Sequence, residues 1–453
     1  MATPHVKQVD ARPTIVFGAA PETDIPIGAD RYISESWLAH EYEALWPHTW
    51  MFACLERDID EPGAYQVFNV GRESILITRN DNGELRAFFN VCQHRGARVM
   101  TNDFGWVDQF ICPYHGWTYS TDGELVYLPD PERFSPRVDC AKKSLQPVQV
   151  SAWAGLVFVN MDLDAAPLEN FLGPVMAAVD PYQLEKMTLV GDQTVSLACN
   201  WKAVFDNFGE LYHVEHIHPQ HEHLFDCPTA EIHLYEHGHT AVIIDGHTVN
   251  SRMAIPEAPN GYMEMQLQKF GVDPKVYQGR ILEVRGDIPK IRREAGPRLG
   301  WDYSRFSDAR LSDIEQYNLF PNTMITVQPD DALITRARPH PTDPNLCLWD
   351  KFTFHRQPDP KVAEAAGVIF EPHDAEDVKP IPRPEHDQFT QEDIIEGRKT
   401  MTITIDQDIH LIRDVQAGMH SRGFSHQTLC DDEIRIQHYH DWLAHRLGVN
   451  NAA

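Results

Sequence analysis

Two short cysteine–histidine pairs constrain this chain more than any other feature. The sequence reads C-x-H from Cys92 to His94, then seventeen residues, then C-x-x-H from Cys112 to His115. A zinc finger places both cysteines before both histidines, whereas here each pair supplies one ligand of each kind. In a Rieske centre two cysteines hold one iron of a [2Fe–2S] cluster and two histidines hold the other. We therefore predict a Rieske cluster at these four residues, with structural zinc as the alternative.

The composition argues against a nucleic-acid-binding protein and against a membrane protein. The 453 residues include 39 Lys and Arg against 67 Asp and Glu, a formal net charge of −28. This charge repels nucleic acids and anionic membrane surfaces, and it suits a basic redox partner. No apolar run reaches the roughly 18 residues of a membrane-spanning helix, and the N-terminus lacks the apolar core of a signal peptide. Because the eight cysteines are scattered, we expect a reduced, cytoplasmic protein.

The patterning predicts two domains after an N-terminal segment. Residues 1–46 read as an arm followed by a helix, with Ser34 as its N-cap. Residues 47–160 alternate as short strands with Asn-Gly and Asp-Gly turns, which is typical of an antiparallel β module. Residues 161–453 mix helical segments with longer strands, so we expect a second domain there.

Two stretches of the second domain show weak periodicity. Residues 255–300 and 356–390 are rich in proline, glycine and charge, so we expect long loops. Such loops are either lids, binding loops or subunit contacts, or they are surface insertions. Two helices are predicted near the end of the chain, at about 406–418 and about 432–447.

A second histidine-rich stretch begins at Asn200. Its candidate ligands are His213, His216, His218, His221 and His223, together with the carboxylates Asp206, Glu210 and Glu215. Two neutral imidazoles and one carboxylate on one face of a metal leave positions open for O2 and substrate, as in non-haem Fe(II) oxygenases. His213 and His216 would share a helical face, whereas His213 and His218 need a helix end, which Pro219 would supply. Spacing alone leaves a metal site and a solvated helix end equally open.

Taken together, the two motifs resemble the large (α, catalytic) subunit of the Rieske non-haem iron aromatic-ring-hydroxylating oxygenases. The C-x-H…C-x-x-H set is followed about 100 residues later by N-F-x-E-x-Y-H-x-x-x-x-H-P, and the resemblance extends from Trp46 to Gly418. It implies that the two histidines of the second motif, His213 and His218, bind a mononuclear Fe(II).

The family's third iron ligand is an Asp on a late helix, a few residues before Gln-x-Gly. The stretch from Gln407 to Gly418 matches best, and the resemblance therefore implies Asp408 as the ligand. Asp406 and Asp414 compete for this role. We expect Asp406 to cap the helix and Asp414 to be an exposed helical charge.

The resemblance also implies a route for electrons. The family assembles as trimers in which the cluster of one subunit faces the catalytic iron of its neighbour, and an Asp usually links the two centres. This chain has Glu210 at that position, which would accept hydrogen bonds from His213 and from a cluster histidine, with His115 favoured. Some members with Glu there act on quaternary amines rather than arenes. Asn207 matches an Asn beside the iron.

Some residues near the motifs have two alternative roles, and others are not expected to bind metal. Trp117 and Tyr114 either shield the cluster or belong to the core, and Tyr212 either donates a hydrogen bond near the iron or packs. We expect three histidines to be non-ligands: His216, His221 and His223.

The resemblance implies an α+β protein. Residues 47–160 would form the antiparallel β Rieske [2Fe–2S] domain, and residues 161–453 a catalytic domain whose curved antiparallel sheet is wrapped by helices. The N-terminal arm and helix would pack on the catalytic domain. Its cofactors would be one Rieske cluster and one mononuclear Fe(II) per chain.

The resulting hypothesis is a terminal oxygenase that uses O2 to hydroxylate, by cis-dihydroxylation, an aromatic or other apolar ring substrate. No G-x-G-x-x-G follows a strand, so electrons must come from a separate ferredoxin or NAD(P)H reductase. The resemblance implies a homotrimer (α3) or α3β3 assembly. Two alternatives stay open: a Rieske monooxygenase or demethylase acting on a quaternary amine, ether or alicyclic substrate, and a Rieske electron carrier joined to a binding module.

Overall fold

The structure, a computed structural model, describes residues 13–17, 26–134, 136–221, 224–259, 261–358 and 382–449. These residues divide into two units. The smaller unit comprises 34–173 and 338–344, and the larger unit draws on 1–33, 174–337 and 345–453. The divisions at 33 and 173 lie beside the boundaries at 46 and 160 that the sequence suggests, and those finer boundaries stay a prediction.

The described chain begins in the larger unit with strand β1 (Thr14–Phe17) and helix α1 (Asp30–Ile33). The smaller unit then starts with helix α2 (Glu35–Ala44), where the Ser34 hydroxyl accepts the backbone N–H groups of Ser36 and Trp37. This contact confirms the predicted N-cap. It satisfies donors that have no partner inside the helix.

Among the described residues, the rest of the smaller unit contains ten short strands and one further α-helix. They are β2 (Met51–Leu55), β3 (Ala64–Val70), β4 (Glu73–Arg79), β5 (Leu85–Phe89), β6 (Phe104–Trp106), β7 (Phe110–Ile111), β8 (Thr118–Tyr119), β9 (Leu125–Tyr127), β10 (Pro147–Trp153), β11 (Leu156–Asn160) and α3 (Leu168–Leu172). A seven-stranded sheet has the order β2-β11-β10-β5-β4-β3-β6, and β7-β8-β9 form a three-stranded sheet. All these pairings are antiparallel. The predicted β module is confirmed.

The core of the smaller unit surrounds the two cysteines of the first motif. Cys92 and Cys112 are each 2% exposed and pack in one apolar cluster with Phe88, Phe110 and Trp117. Apolar burial of this kind contributes roughly 25 cal/mol per Å². The two motif loops are therefore anchored from inside the unit.

The larger unit contains the remaining elements. They are α4 (Pro174–Val179), β12 (Thr188–Leu197), α5 (Trp201–Asn207), α6 (Val214–Ile217), β13 (Phe225–Leu234), β14 (Thr240–Gly246), α7 (Gly261–Lys269), α8 (Val284–Leu299), β15 (Ile314–Leu319), β16 (Thr323–Val327), β17 (Asp331–Pro339), β18 (Cys347–His355), β19 (Asp387–Thr390), α9 (Gln391–Ile395), α10 (Ile403–Met419) and α11 (Ile434–Arg446). The last two match the predicted C-terminal helices.

One nine-stranded sheet organises the larger unit, in the order β1-β13-β14-β15-β16-β17-β18-β12-β19. Its interior pairings are antiparallel, for example β14 with β15 and β12 with β18. The two edge pairings, β1 with β13 and β12 with β19, are parallel. The α+β class is confirmed, and the parallel edges are an addition that alternation along single strands does not reveal.

One face of this sheet packs against the helices of the histidine-rich motif. Ile232 of β13 and Val242 of β14 form an apolar cluster with Leu211 and Val214, which flank His213, and with Ile434 of α11. We call this side of the sheet the inner face. The motif helices therefore rest on the sheet through apolar contacts, and these contacts position the histidines.

The expectation of a long loop over 255–300 is wrong. This stretch contains α7 and α8, whose residues Met263, Leu267, Val284 and Ile288 are buried in one apolar cluster. Their spacing of four residues matches a helical period, and tertiary burial outweighs the two prolines inside α8. Much of 356–390 lies outside the described residues, although Asp387–Thr390 forms β19. Within the described ranges, no helix combines the length and the apolar character needed to cross a bilayer.

Candidate metal centres

The two cysteine–histidine loops share one backbone geometry. In each loop the cysteine N–H donates to the carbonyl five residues later (2.8 Å), and the cysteine carbonyl accepts the N–H of a glycine four residues later (3.0 Å). These glycines, Gly96 and Gly116, have φ of +77° and +70°. A side chain there would be strained, so glycine allows both loops to turn tightly behind their ligands.

The loops bring like residues together in pairs. The imidazole rings of His94 and His115 lie 4.6 Å apart between centroids. Burial raises the pKa of the Cys92 thiol, and the neighbouring Cys112 thiol acts in the same direction. The His94 Nδ1 atom is buried and has no hydrogen-bond partner among the described residues. One cysteine pair and one histidine pair, with an unpartnered ring nitrogen, fit the two-plus-two ligand set of a Rieske cluster.

Aromatic residues around these loops differ in burial. Trp117 is 3% exposed and stacks on the His94 ring at 4.9 Å, whereas Tyr114 is 56% exposed. Sequence reasoning missed Tyr119, whose hydroxyl accepts the Gln93 N–H (3.0 Å) and lies 3.3 Å from the Cys92 sulfur. Since the hydroxyl oxygen already accepts from Gln93, its proton is available to the sulfur. Hydrogen bonds to ligating sulfurs tune a cluster's potential.

The second motif and α10 form a three-residue cluster of ligand atoms. His213, His218 and Asp408 each offer one atom, and these atoms lie within 4.8 Å of one another. The Nε2 atoms of His213 and His218 lie 3.7 Å and 3.2 Å from Asp408 Oδ1. Among the described residues this is the only such cluster found.

The short helix α6 explains why His218, rather than His216, faces the same site as His213. The helix has four residues, with His213 as its N-cap and His218 as its C-cap, where the backbone leaves the helical region (φ −119°, ψ 62°). Pro219 then begins a 3₁₀ turn. The predicted helix end is present, and it turns the His218 ring back toward His213.

The Asp408 carboxylate fits a bound cation. Asp408 is 1% exposed, and neither of its oxygens has a hydrogen-bond partner among the described residues. A buried carboxylate without a partner is costly, and a metal ion compensates that cost. Two imidazoles and one carboxylate are the donor set of the mononuclear Fe(II) oxygenase sites.

Glu210 supports His213 from the side away from Asp408. The His213 Nδ1–H donates to Glu210 Oε1, and the other carboxylate oxygen accepts the backbone N–H groups of Tyr212 and His213. Burial lowers the pKa of His213, but the carboxylates of Glu210, Asp408 and Glu433 together outweigh burial, so the net effect is a raised pKa. Glu210 is itself 8% exposed, so it is a buried, oriented acceptor.

Gln407 accepts the Nδ1–H of His218, as Glu210 accepts that of His213. Sequence reasoning missed this role. The His218 Nδ1–H donates to Gln407 Oε1 at 2.8 Å, and the Gln220 amide donates to the same oxygen at 2.8 Å. An Nδ1–H bond of this kind fixes the tautomer that leaves Nε2 free for a metal. The only sequence signal was the position of Gln407 directly before Asp408.

Two further histidines of the motif, His216 and His221, are not part of the three-residue cluster. His221 contacts Thr404 Oγ1 at 3.0 Å, and burial, together with the neighbouring His218, lowers the pKa of His221 to about 4. His216 is exposed. His223 lies outside the described residues.

The structure also places the other residues that the sequence singled out. Asn207 is at the end of α5; its Nδ2 is buried without a partner among the described residues. Asn207 and Glu210 together line a pocket of about 630 Å³. Tyr212 is 52% exposed. The N-cap of α10 is Thr402, so the expectation that Asp406 caps this helix is wrong; Asp406 lies in the first turn and accepts the Met401 N–H at 2.9 Å. Asp414 is exposed, as expected.

Comparisons with known proteins agree with this geometry. Residues 184–448 match the family model of the ring hydroxylating alpha subunit (catalytic domain), and residues 49–148 match the Rieske [2Fe-2S] domain. A glycine betaine monooxygenase oxygenase subunit of Chromohalobacter salexigens is 31% identical over 183 residues, 40% of this chain and 41% of the relative. A biphenyl 2,3-dioxygenase subunit alpha of Rhodococcus jostii is 33% identical over 190 residues, 40% of this chain and 41% of the relative. The matches thus span about two fifths of the length of these curated relatives.

Solved structures share the fold over nearly the whole chain. A quaternary ammonium Rieske monooxygenase in complex with L-carnitine aligns with a TM-score of 0.64 at 20% identity, covering 93% of this chain and 95% of that one. Naphthalene 1,2-dioxygenase from a Rhodococcus species, bound to indole, aligns with a TM-score of 0.62 at 19% identity and covers 94% of both chains.

Proposed function

Because the chain belongs to the family of ring-hydroxylating oxygenase α subunits, we propose that it is a terminal oxygenase acting on an aromatic or other apolar ring substrate. The chain is an oxidoreductase whose cofactors are a Rieske [2Fe–2S] cluster and a mononuclear iron. Electrons would come from a separate ferredoxin or NAD(P)H reductase. The observation that carries the proposal is the convergence of two imidazoles on a buried carboxylate that has no other partner.

The ligand assignment follows from the ring nitrogens that already form hydrogen bonds. His213 and His218 use Nδ1–H to donate to Glu210 and Gln407. Their Nε2 lone pairs therefore face Asp408, and we assign these three residues to the mononuclear iron. Cys92, Cys112, His94 and His115 would hold the cluster.

The bound metals would supply electron storage and O2 activation, and the protein's own residues prepare the site for both. Glu210 is held by two backbone N–H groups and one imidazole, so its carboxylate stays fixed beside His213. This supports Glu210 as the group that couples the iron to the electron donor. The unpartnered Nδ2 of Asn207 is a donor available beside the iron.

We also propose a cytoplasmic location and an assembly that is either a homotrimer (α3) or α3β3. A related quaternary ammonium monooxygenase is described with inter-subunit electron transfer, and the exposed Tyr114 beside His115 offers a contact near the cluster. Light scattering of the purified protein would give about three times the 51.8 kDa chain mass for α3. A monomer would refute this assembly.

A monooxygenase acting on a quaternary amine is the second candidate. Two observations favour it: the glutamate at position 210 in place of the usual aspartate, and relatives described as glycine betaine and carnitine monooxygenase oxygenase subunits. In both candidates the metal sites are the same, and only the substrate differs.

Metal analysis followed by a product screen tests the proposal. The anaerobically purified protein should contain three irons and two acid-labile sulfides per chain, with Rieske-type visible absorption. The reduced protein should then convert members of a panel of arenes and quaternary amines in an O2-dependent reaction. Two irons that added Fe(II) does not raise to three would indicate an electron carrier, and zinc without sulfide would refute both metal assignments.

A further inference from the structure

Three side chains in the middle of the large sheet are open to space where a solid core would be expected. Gln316 of β15 pairs with Thr326 of β16, and Thr326 pairs with Leu333 of β17. All three are partly exposed. They are nevertheless far from the sheet edges, because three strands lie beyond β15 on one side and three lie beyond β17 on the other. Residues in register share a face, and Gln316 also pairs with Val242, which packs on the inner face. These three side chains therefore form one open stretch of the inner face, which we call the chamber floor.

A buried arginine lies at one end of the chamber floor. Arg435 of α11 is 1% exposed. Its Nε donates to Thr240 Oγ1 and its Nη2 donates to Gln316 Oε1, both at 3.0 Å. The third nitrogen, Nη1, is buried without a hydrogen-bond partner among the described residues. Burial lowers the pKa of Arg435 to about 9, and the Glu210 carboxylate acts against this shift, so the guanidinium stays charged at neutral pH.

The arginine determines what Gln316 offers to a ligand. Since the Gln316 oxygen accepts from Arg435, the amide NH2 group is turned away from it, and it donates to no acceptor among the described residues. The Thr326 hydroxyl in the next strand is likewise without a partner there. The floor thus presents two hydrogen-bond donors with a buried positive charge directly behind one of them. A carboxylate is the small organic group that matches this arrangement, since hydrogen bonds to a charged acceptor are the stronger kind.

We propose that the substrate bears a carboxylate that Gln316 and Thr326 bind on the chamber floor, with Arg435 as the positioning residue that fixes the Gln316 amide. The proposal rests on the proposed function and deepens it, because it names the substrate class. A ring acid and a betaine both satisfy it. In either, the carboxylate lies on the sheet and the carbon to be oxidised lies toward His213 and His218, since a cationic or apolar end gains nothing beside the Arg435 charge.

Anaerobic binding to the iron-loaded protein tests the proposal without turnover. Isothermal titration calorimetry would compare two matched pairs that differ in the carboxylate: benzoate with toluene, and glycine betaine with choline. In at least one pair the carboxylate member should bind about 10- to 100-fold more tightly, the range expected for hydrogen bonds to a charged acceptor. Gln316→Leu should reduce this preference to about threefold or less. Gln316→Glu should abolish binding of the carboxylate, because it replaces the donors with a negative charge.

Control variants distinguish the loss of the carboxylate contact from a loss of folded structure. Gln268→Leu, on the exposed side of α7, should leave both preferences unchanged. Arg435→Lys keeps the charge but loses the second donor that fixes the amide, so it should weaken the carboxylate preference while cluster absorption and iron content stay at wild-type values. Equal binding within both pairs, no binding of either carboxylate, or a full preference in Gln316→Leu would overturn the proposal. Failure of the oxygenase assignment would appear elsewhere, as missing iron or as no O2-dependent product from any compound.

Discussion

Replacing Asp408 with asparagine should stabilise the metal-free protein and remove the stability that the wild type gains from Fe(II). In the metal-free protein the Asp408 carboxylate is buried and has no hydrogen-bond partner among the described residues. Its neighbours are the Nε2 atoms of His218 and His213 at 3.2 Å and 3.7 Å, which offer it no proton when Nδ1–H of each ring donates to Gln407 or Glu210. An uncompensated buried charge costs about 3–5 kcal/mol. An asparagine amide at this position can instead donate to the His218 Nε2.

The expected magnitudes follow from these contacts. Relief of the charge should raise the unfolding free energy of the metal-free variant by about 3 kcal/mol, which is about 5 °C in the melting temperature for a large domain. For the wild type, Fe(II) at 100 times its dissociation constant adds about 2.7 kcal/mol. The Asp408→Asn variant should gain almost nothing from Fe(II), because it lacks the charged ligand.

Calorimetric melting of chelator-treated and Fe(II)-reloaded protein under argon measures both effects, with cluster absorption recorded as a check on the smaller unit. Asp414→Asn is the matched control, since Asp414 lies exposed on the same helix and should change neither value. The reasoning is refuted if Asp408→Asn melts below the wild type without metal and still gains stability from Fe(II).

Three further predictions concern residues with separate roles. Gln407→Ala should weaken Fe(II) affinity about tenfold or more while Gln407→Glu keeps it close to wild type, as measured by chelator competition; equal affinities would argue against the His218 contact. Glu210→Gln should retain iron, because an amide oxygen still accepts from His213, but should slow oxidation of the reduced cluster during a single turnover, and an unchanged rate would exclude Glu210 as the coupling group. Ser34→Ala should lower the unfolding free energy by about 1 kcal/mol in urea titration, and no change would mean that the cap contributes nothing.

Local sequence was sufficient wherever the decisive interaction spans a few residues. The cluster motif could be identified because each cysteine and its histidine lie in one loop, turned by Gly96 or Gly116. The Ser34 cap and the strands of the smaller unit follow equally from short-range patterns. The expected loop over 255–300 shows the limit of this approach. Its prolines argued against helices, whereas the structure has two helices there that are stabilised by burial in a shared apolar cluster.

The catalytic site was only partly accessible from the sequence. Spacing could not choose between His216 and His218, because the answer depends on a helix of four residues ending before His218. The resemblance implied Asp408, yet its placement beside the histidines depends on α10, and Gln407 reaches His218 across 189 positions of the chain. Arg435 likewise reaches Thr240 across 195 positions and Gln316 across 119.

The sequence alone thus determined the class of the cluster site, because ligand type and short spacing are local properties. For the second site, spacing supplied only candidate ligands, and the family resemblance reduced them to His213, His218 and Asp408. Only the tertiary structure decided which acceptor orients each imidazole and which donors line the chamber floor. The physical reason is that hydrogen bonds act over about 3 Å, so a partner far along the chain is selected by how helices and sheet pack, and no short pattern encodes that packing.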